Sequence, residues 1–173
     1  KPMKNAYAGH LKYSFQLRPH TVADQAYIGA YQGIGVGYFN FGNPEELGNP
    51  LAVYLFQGGR IAQFSPRISL NYEWNFGASF GWKPYDEYDN PENQIIGSKV
   101  NAYLNVNLYL KWALSPKFDL MIGATGSHFS NGNTQYPNSG LNTVDCKVGL
   151  VYNFNRRADE LAQSWQHPIV PPL

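Results

Sequence analysis

The stretch Lys99–Trp112, KVNAYLNVNLYLKW, decides the fold, because it alternates without a break. Its even positions are Val100, Ala102, Leu104, Val106, Leu108, Leu110 and Trp112; its odd positions are Lys99, Asn101, Tyr103, Asn105, Asn107, Tyr109 and Lys111. Successive side chains on a strand point to opposite faces, so this segment has one apolar face and one face of amides, tyrosines and lysines. Arg67–Lys83 repeats the design. Ile68, Leu70, Tyr72, Trp74, Phe76, Ala78, Phe80 and Trp82 share one face; Arg67, Ser69, Asn71, Glu73, Asn75, Ser79 and Lys83 share the other. Both runs exceed the roughly 5–6 residues of an ordinary strand and reach the roughly 9–11 that cross a bilayer.

Weaker copies of the pattern flank these two. Tyr7–Arg18 sets Leu11, Tyr13, Phe15 and Leu17 against His10, Lys12, Ser14 and Gln16. Tyr27–Phe41 sets Ile28, Ala30, Ile34, Val36 and Tyr38 against a row of glycines and Tyr31. Leu51–Phe64 is interrupted at Gly58-Gly59, where a bulge is expected. Phe118–Phe129 and Val144–Phe154 complete seven strands. The connectors Ser65-Pro66 and Ser115-Pro116-Lys117 are short, whereas Pro84–Gly97 and Gly132–Gly140 are long, as in barrels with short periplasmic turns and longer extracellular loops. Trp82, Trp112 and Phe154 near strand ends suit interfacial girdles.

The expected fold is therefore an all-β antiparallel outer-membrane β-barrel of the eight-stranded type. Seven strands are visible, and the eighth, needed for the even number of such barrels, is expected before Lys1. Residues 1–155 form the barrel domain and residues 156–173 a polar, proline-containing tail. A soluble sandwich or lipid-binding barrel is the competing architecture.

Composition narrows the functions. Charged residues are 14% and the net charge is +1, which gives no electrostatic case for nucleic acid. Mean hydropathy is −0.39, a value that alternating strands produce by averaging. The single cysteine, Cys146, excludes an internal disulfide and a cysteine metal cluster. No apolar run reaches the length of a membrane-crossing helix, and Lys1-Pro2-Met3-Lys4 is not followed by a signal-peptide core, a segment that an exported protein loses.

One constellation carries chemistry. His128 and Ser130 lie two apart, on the apolar face of Phe118, Leu120, Ile122 and Ala124. Polar groups in such a setting cost about 1–3 kcal/mol unless paired. Pairing would relieve that cost and activate the hydroxyl. Asn142 shares the outward parity of Val144 and Cys146 on the next strand, where it can orient the imidazole; Asp145 has the opposite parity. An interfacial histidine and a loop-capping serine remain the alternative. Lys83, Arg60 and Lys99 are expected as lumen or interface charges rather than lipid-phosphate ligands.

The blocks His128-Phe129-Ser130-Asn131 and Pro137-Asn138-Ser139-Gly140, in this order between the last two strands, resemble the active-site region of the PagL-type lipid A 3-O-deacylases. Strand order over Arg67–Phe154 resembles that family as well; upstream, only the general barrel pattern aligns. The resemblance implies a bacterial outer-membrane esterase that removes an acyl chain from lipid A without metal or organic cofactor. Lipid A or lipopolysaccharide would be the substrate, within outer-membrane lipid. Ser130 would be the nucleophile and His128 the base, with Asn131, Gly132 and Asn138 in or near the oxyanion hole. The apolar even faces fit such a lipid substrate: an acyl chain would lie against Phe118, Leu120 or the neighbouring strand, and against Phe129, which has odd parity, only if the strand bends at its end. The family has glutamate where this chain has Asn142, which keeps open a non-catalytic structural or lipid-binding outer-membrane barrel.

Overall fold

The computed structural model describes residues 5–16, 21–27 and 29–158. Seven strands form one antiparallel sheet in chain order: β1 (Tyr7–Gln16), β2 (Tyr31–Asn40), β3 (Gly48–Ser65), β4 (Ile68–Trp82), β5 (Val100–Ala113), β6 (Phe118–Ser130) and β7 (Leu141–Tyr152). A short helix, α1 (Val22–Ala26), lies between β1 and β2; the Thr21 hydroxyl caps it by accepting from the Asp24 N–H. No helix among the described residues is long and apolar enough to cross a membrane.

The pleat sorts the side chains as the alternation requires, and the sorting is inverted relative to a water-soluble barrel. On β4 and β5 the enclosed residues are Ser69, Asn71, Glu73, Asn75, Asn101, Asn105 and Asn107. Leu104, Val106, Leu108, Leu110, Trp74 and Phe76 stand on the exposed outer wall. A continuous apolar exterior is unfavourable in water and favourable in hydrocarbon. Inside, the polar groups find one another. Asn105 Nδ2 donates to Thr125 Oγ1 (2.7 Å) and Ser127 Oγ (2.9 Å); Asn107 Nδ2 donates to Glu73 Oε1 (3.2 Å). Buried amides without such partners would be costly.

The sheet curls into a half-barrel, and Glu73 is enclosed on its central strand, β4. The carboxylate on β4 pairs with Lys12 of β1 and with Lys147 of β7, the latter at 3.4 Å. Lys147 also donates to Asn107 Oδ1 (3.0 Å). Both edge strands are thereby tied to the central one. Toward one end the lumen is filled by rings: Phe129 packs against Phe39 and Tyr103 (centroids 5.1 Å each), Trp82 (5.2 Å) and Phe41 (5.6 Å). Connections 41–47, 83–99 and 131–140 lie at this end. At the other end are the tight turns at 66–67 and 114–117, together with the longer connection that carries α1.

Several sequence expectations change. Trp82 is enclosed and stacked on Phe41 (5.6 Å), so it belongs to the lumen and not to an outer girdle. The cause is Gly81, whose φ of 87° breaks the alternation, opposite a register shift between Gly48 and Leu51. Gly58-Gly59 is not the bulge: both residues are in register with Glu73 and Tyr72, and the irregularity follows at Arg60/Ala62. Glycine is needed at 58 for room, since a Cβ there would lie 2.3 Å from the Tyr31 hydroxyl. The second strand begins at Tyr31 rather than Tyr27, because α1 occupies the preceding segment. The last strand is Leu141–Tyr152 rather than Val144–Phe154. Leu17, Arg18 and Ile28 lie outside the described residues, as does the expected tail beyond residue 158. At the start of that tail, Arg156 is held by Asp119 (2.7 Å) and by the Pro116 carbonyl (2.9 Å).

Removing the central carboxylate strands two enclosed ammonium groups. Glu73→Gln is expected to lower the unfolding free energy by about 3 kcal/mol, the usual scale for breaking a buried ion pair on one side. Urea titration in detergent micelles, followed by tryptophan fluorescence, checks this; a loss below about 1 kcal/mol would show that the pairs contribute little.

Candidate active site

The site stands where β6 leaves the sheet. Phe129 is fully enclosed, with its ring in the aromatic cluster, so its neighbours His128 and Ser130 must project from the outer wall. Phe129 therefore keeps the inward direction of its odd parity and offers no outer surface to an acyl chain; the strand-end bend that would have turned it outward does not occur, whereas Phe118, at the far end of the same strand, does stand outside. Residues two apart on a strand are about 6.6 Å apart along it, a span that an imidazole can bridge.

β7 supplies the third residue by register. His128 is directly opposite Asn142, and Phe129 opposite Leu141, whose side chain is enclosed beside the aromatic cluster. Asn142 Oδ1 lies 2.7 Å from His128 Nδ1. A carbonyl oxygen only accepts, so this contact places the proton on Nδ1 and leaves the Nε2 lone pair available. Asp145 is opposite Thr125, three residues further along β7, and is not the partner of His128. Gly140 closes the arrangement. It has a φ of 70°, and a Cβ there would stand 3.2 Å from His128 Cε1 and 3.8 Å from Ser130 Cβ. Any side chain would be strained by the backbone and would press on the imidazole.

The structure thus brings His128, Ser130 and Asn142 onto one outer patch. Among the described residues, no hydrogen bond joins Ser130 Oγ to the imidazole; proximity on a shared face is the observation. Loop 131–140 folds back over the end of β6. Asn138 Oδ1 accepts the Asn131 N–H (3.1 Å), and Asn138 Nδ2 donates to Asn133 Oδ1 (3.1 Å). Asn131 Nδ2 donates to the Gln135 carbonyl (2.7 Å). The Asn131 N–H is consequently occupied by Asn138. Gly132, with a φ of 64°, forms an exposed corner next to it. Sequence reasoning missed Gly140 as a site residue and missed residues 94–97 altogether. Gly140 had a signal, the Asn-x-Gly spacing; residues 94–97 had none, because they meet the loop through contacts 45 positions apart.

A family model described as lipid A 3-O-deacylase (PagL) matches residues 4–151. The chain belongs to the PagL family. The match spans all seven strands, including the N-terminal ones for which sequence pattern alone offered only a general barrel. No curated protein and no solved structure matches the chain.

The Asn142 contact fixes an observable tautomer. In histidine-labelled protein, the nitrogen spectrum of neutral His128 should show a protonated Nδ1. In Asn142→Leu the two tautomers should mix; an Nε2-protonated ring in the wild type would overturn this geometry.

Proposed function

We propose that this chain is an outer-membrane esterase that releases a fatty acid from lipid A, with Ser130 as nucleophile, His128 as general base and Asn142 as the group that orients the imidazole. The observation that supports this best is the 2.7 Å contact between Asn142 Oδ1 and His128 Nδ1, on the patch that also carries Ser130, within a PagL-family barrel. His128 Nε2 takes the hydroxyl proton as Ser130 Oγ attacks the ester carbonyl. The tetrahedral intermediate then expels the sugar oxygen, which recovers the proton from the imidazolium. Water, deprotonated by the same nitrogen, attacks the acyl-serine, releases the fatty acid and regenerates Ser130. The corner at Asn131, Gly132 and Asn138 supplies donors to the developing oxyanion. Because the Asn131 N–H is held by Asn138, the oxyanion donor is proposed to be the adjacent Gly132 N–H.

The position of the site favours a substrate that never leaves the bilayer. Ser130 tops a wall of exposed aliphatic side chains, so an acyl chain beside β5–β7 can keep its apolar surroundings while its ester reaches the hydroxyl. The long connections at this end suit the extracellular side and therefore the leaflet that holds lipid A. Among the described residues β1 and β7 are the edges of the sheet, and because unpaired strand edges are not tolerated in hydrocarbon this favours closure of the barrel by a further pairing along them.

Asparagine preserves the tautomer and withholds the negative charge that stabilises an imidazolium. That missing charge is also the feature favouring the alternative, a non-catalytic barrel. Fatty-acid release from purified lipid A by detergent-solubilised protein is the decisive measurement. Ser130→Ala should reduce turnover by about 10³-fold or more, and Asn142→Glu should raise kcat by about tenfold or more. Absence of release from both the wild type and Asn142→Glu would establish the non-catalytic alternative for this substrate.

A further inference from the structure

The connection between β4 and β5 touches the site loop through consecutive residues on both sides. Ser139 Oγ donates to the Gln94 carbonyl (3.1 Å), and the Gly140 N–H donates to the Ile95 carbonyl (3.3 Å). Gly97 lies flat against the backbone of Tyr136 and Pro137. A Cβ at position 97 would fall 2.6 Å from the Pro137 oxygen and 2.8 Å from the Tyr136 carbonyl carbon and oxygen. The φ of Gly97 lies outside the left-handed region, so what excludes a side chain there is this neighbour and not the local backbone.

The connection is itself fixed. Asn93 is fully enclosed and uses its whole amide. Its Oδ1 accepts the N–H groups of Ile95 (3.0 Å) and Ile96 (3.1 Å), while its Nδ2 donates to the carbonyls of Lys83 (2.7 Å) and Glu46 (3.2 Å). Asn90 Nδ2 also donates to the Glu46 carbonyl (2.9 Å). Ile96 is enclosed within the aromatic cluster that holds Phe129. Residues 94–97 are therefore a ledge, anchored to the β2–β3 turn and to the lumen. From this ledge a short chain of contacts leads to the site: Pro137 precedes Asn138, Asn138 holds the Asn131 N–H, and Asn131 follows Ser130.

We propose that Gly97 and the 94–97 ledge are the positioning element of the site, setting the height of loop 131–140 over the end of β6 and so the geometry of the donors around Ser130. This rests on Ser130 and His128 being nucleophile and base. The ledge lies behind the loop and acts through it. Displacing catalytic groups by about 1 Å commonly costs about 100-fold in rate, so a single methyl in this contact is a sensitive probe.

The test uses Gly97→Ala and Gly97→Val in the full chain in detergent, with purified lipid A as substrate and hydrogen exchange of the Asn131 amide as a second readout. Expected are a kcat lowered about tenfold by alanine and further by valine, with KM within about twofold and unchanged heat-modifiable migration on gels. The Asn131 amide should exchange about tenfold faster, because its acceptor on Asn138 moves away. Folded Gly97→Val with wild-type kcat and wild-type Asn131 exchange would overturn the proposal. If the wild type releases no fatty acid, the deacylase reading fails by itself, and Asn131 exchange alone decides whether the ledge positions the loop. If neither Gly97 variant folds, the Ser139 pair decides. Ser139→Ala should lower kcat and speed Asn131 exchange, and Ser139→Thr should restore both; no effect of Ser139→Ala on either would overturn the proposal.

Discussion

Glu73 is the point on which the architecture turns. An antiparallel sheet of seven strands has two edges, and hydrogen bonding between neighbours says nothing about how far apart those edges lie. A carboxylate on the middle strand that binds a lysine from each edge strand does. The two pairs hold both edge strands toward the central one in the curled sheet, and the inside so enclosed gives the two faces of each strand their different meaning. Enclosing an anion demands compensation, because a carboxylate in a low-dielectric interior is several kcal/mol less favourable than in water. The two lysines supply the charge, while Asn107 and Tyr31 supply further donors. Asn107 binds the glutamate and Lys147 together, so the polar lumen is one connected network and not a set of separate pairs.

The enclosed polar network and the apolar exterior are two consequences of one pattern, which explains why so much of the fold was legible in the chain. Where alternation is strict, as in Val100–Ala113, a one-residue error in register would exchange every leucine with an asparagine or tyrosine, so the pattern leaves one solution. Legibility failed where the backbone itself breaks the period. Gly81 turns Trp82 inward, and nothing in a list of hydrophobic residues signals that a left-handed glycine has intervened. The row of glycines on β2 is expected to leave room where the strand curves or large lumen side chains approach, and the structure bears this out. These glycines are vacancies for large rings: a Cβ on Gly35 would fall 2.4 Å from Tyr54, and one on Gly33 2.7 Å from Phe56. The vacancies are legible locally, but which rings fill them is not, because that complementarity joins residues about 20 positions apart.

The same limit divides the candidate site. The outward face shared by His128, Ser130 and Asn142 follows from parity alone, and the register of β6 with β7 completes it. The support behind that face does not follow from parity. Phe129, between the two candidate catalytic residues, anchors the strand end in the lumen. Gly140 gives the imidazole its space, and the 94–97 ledge meets the loop from a connection more than 30 residues upstream. Catalytic geometry is generally set by such supporting contacts, which lock rotamers and loops that the reacting residues cannot lock themselves. Here Phe129 and Ile96 both belong to the enclosed aromatic cluster, so the filling of the barrel supports the outer patch that carries His128 and Ser130.

Asn142 shows how the membrane setting changes the balance for a triad-like site. A carboxylate at this position would have two effects: holding the Nδ1 proton and stabilising the imidazolium during reaction. It would also carry a charge on the outer wall beside Val144, where desolvation raises its cost. Asparagine keeps the first effect, because its carbonyl oxygen accepts from Nδ1 at 2.7 Å, and removes that cost together with the second effect. If catalysis proceeds as proposed, charge stabilisation must then come from the oxyanion side, where the backbone corner at Gly132 and the amides of Asn131 and Asn138 lie. Those donors stabilise the negative half of the transition state and leave the imidazolium unassisted. Placement of loop 131–140 therefore matters more here than in a relative that keeps the carboxylate. Under the proposed mechanism a carboxylate at position 142 would offset imperfect donor geometry by attracting the imidazolium; with asparagine there, the precision would have to come from the contacts beneath the loop.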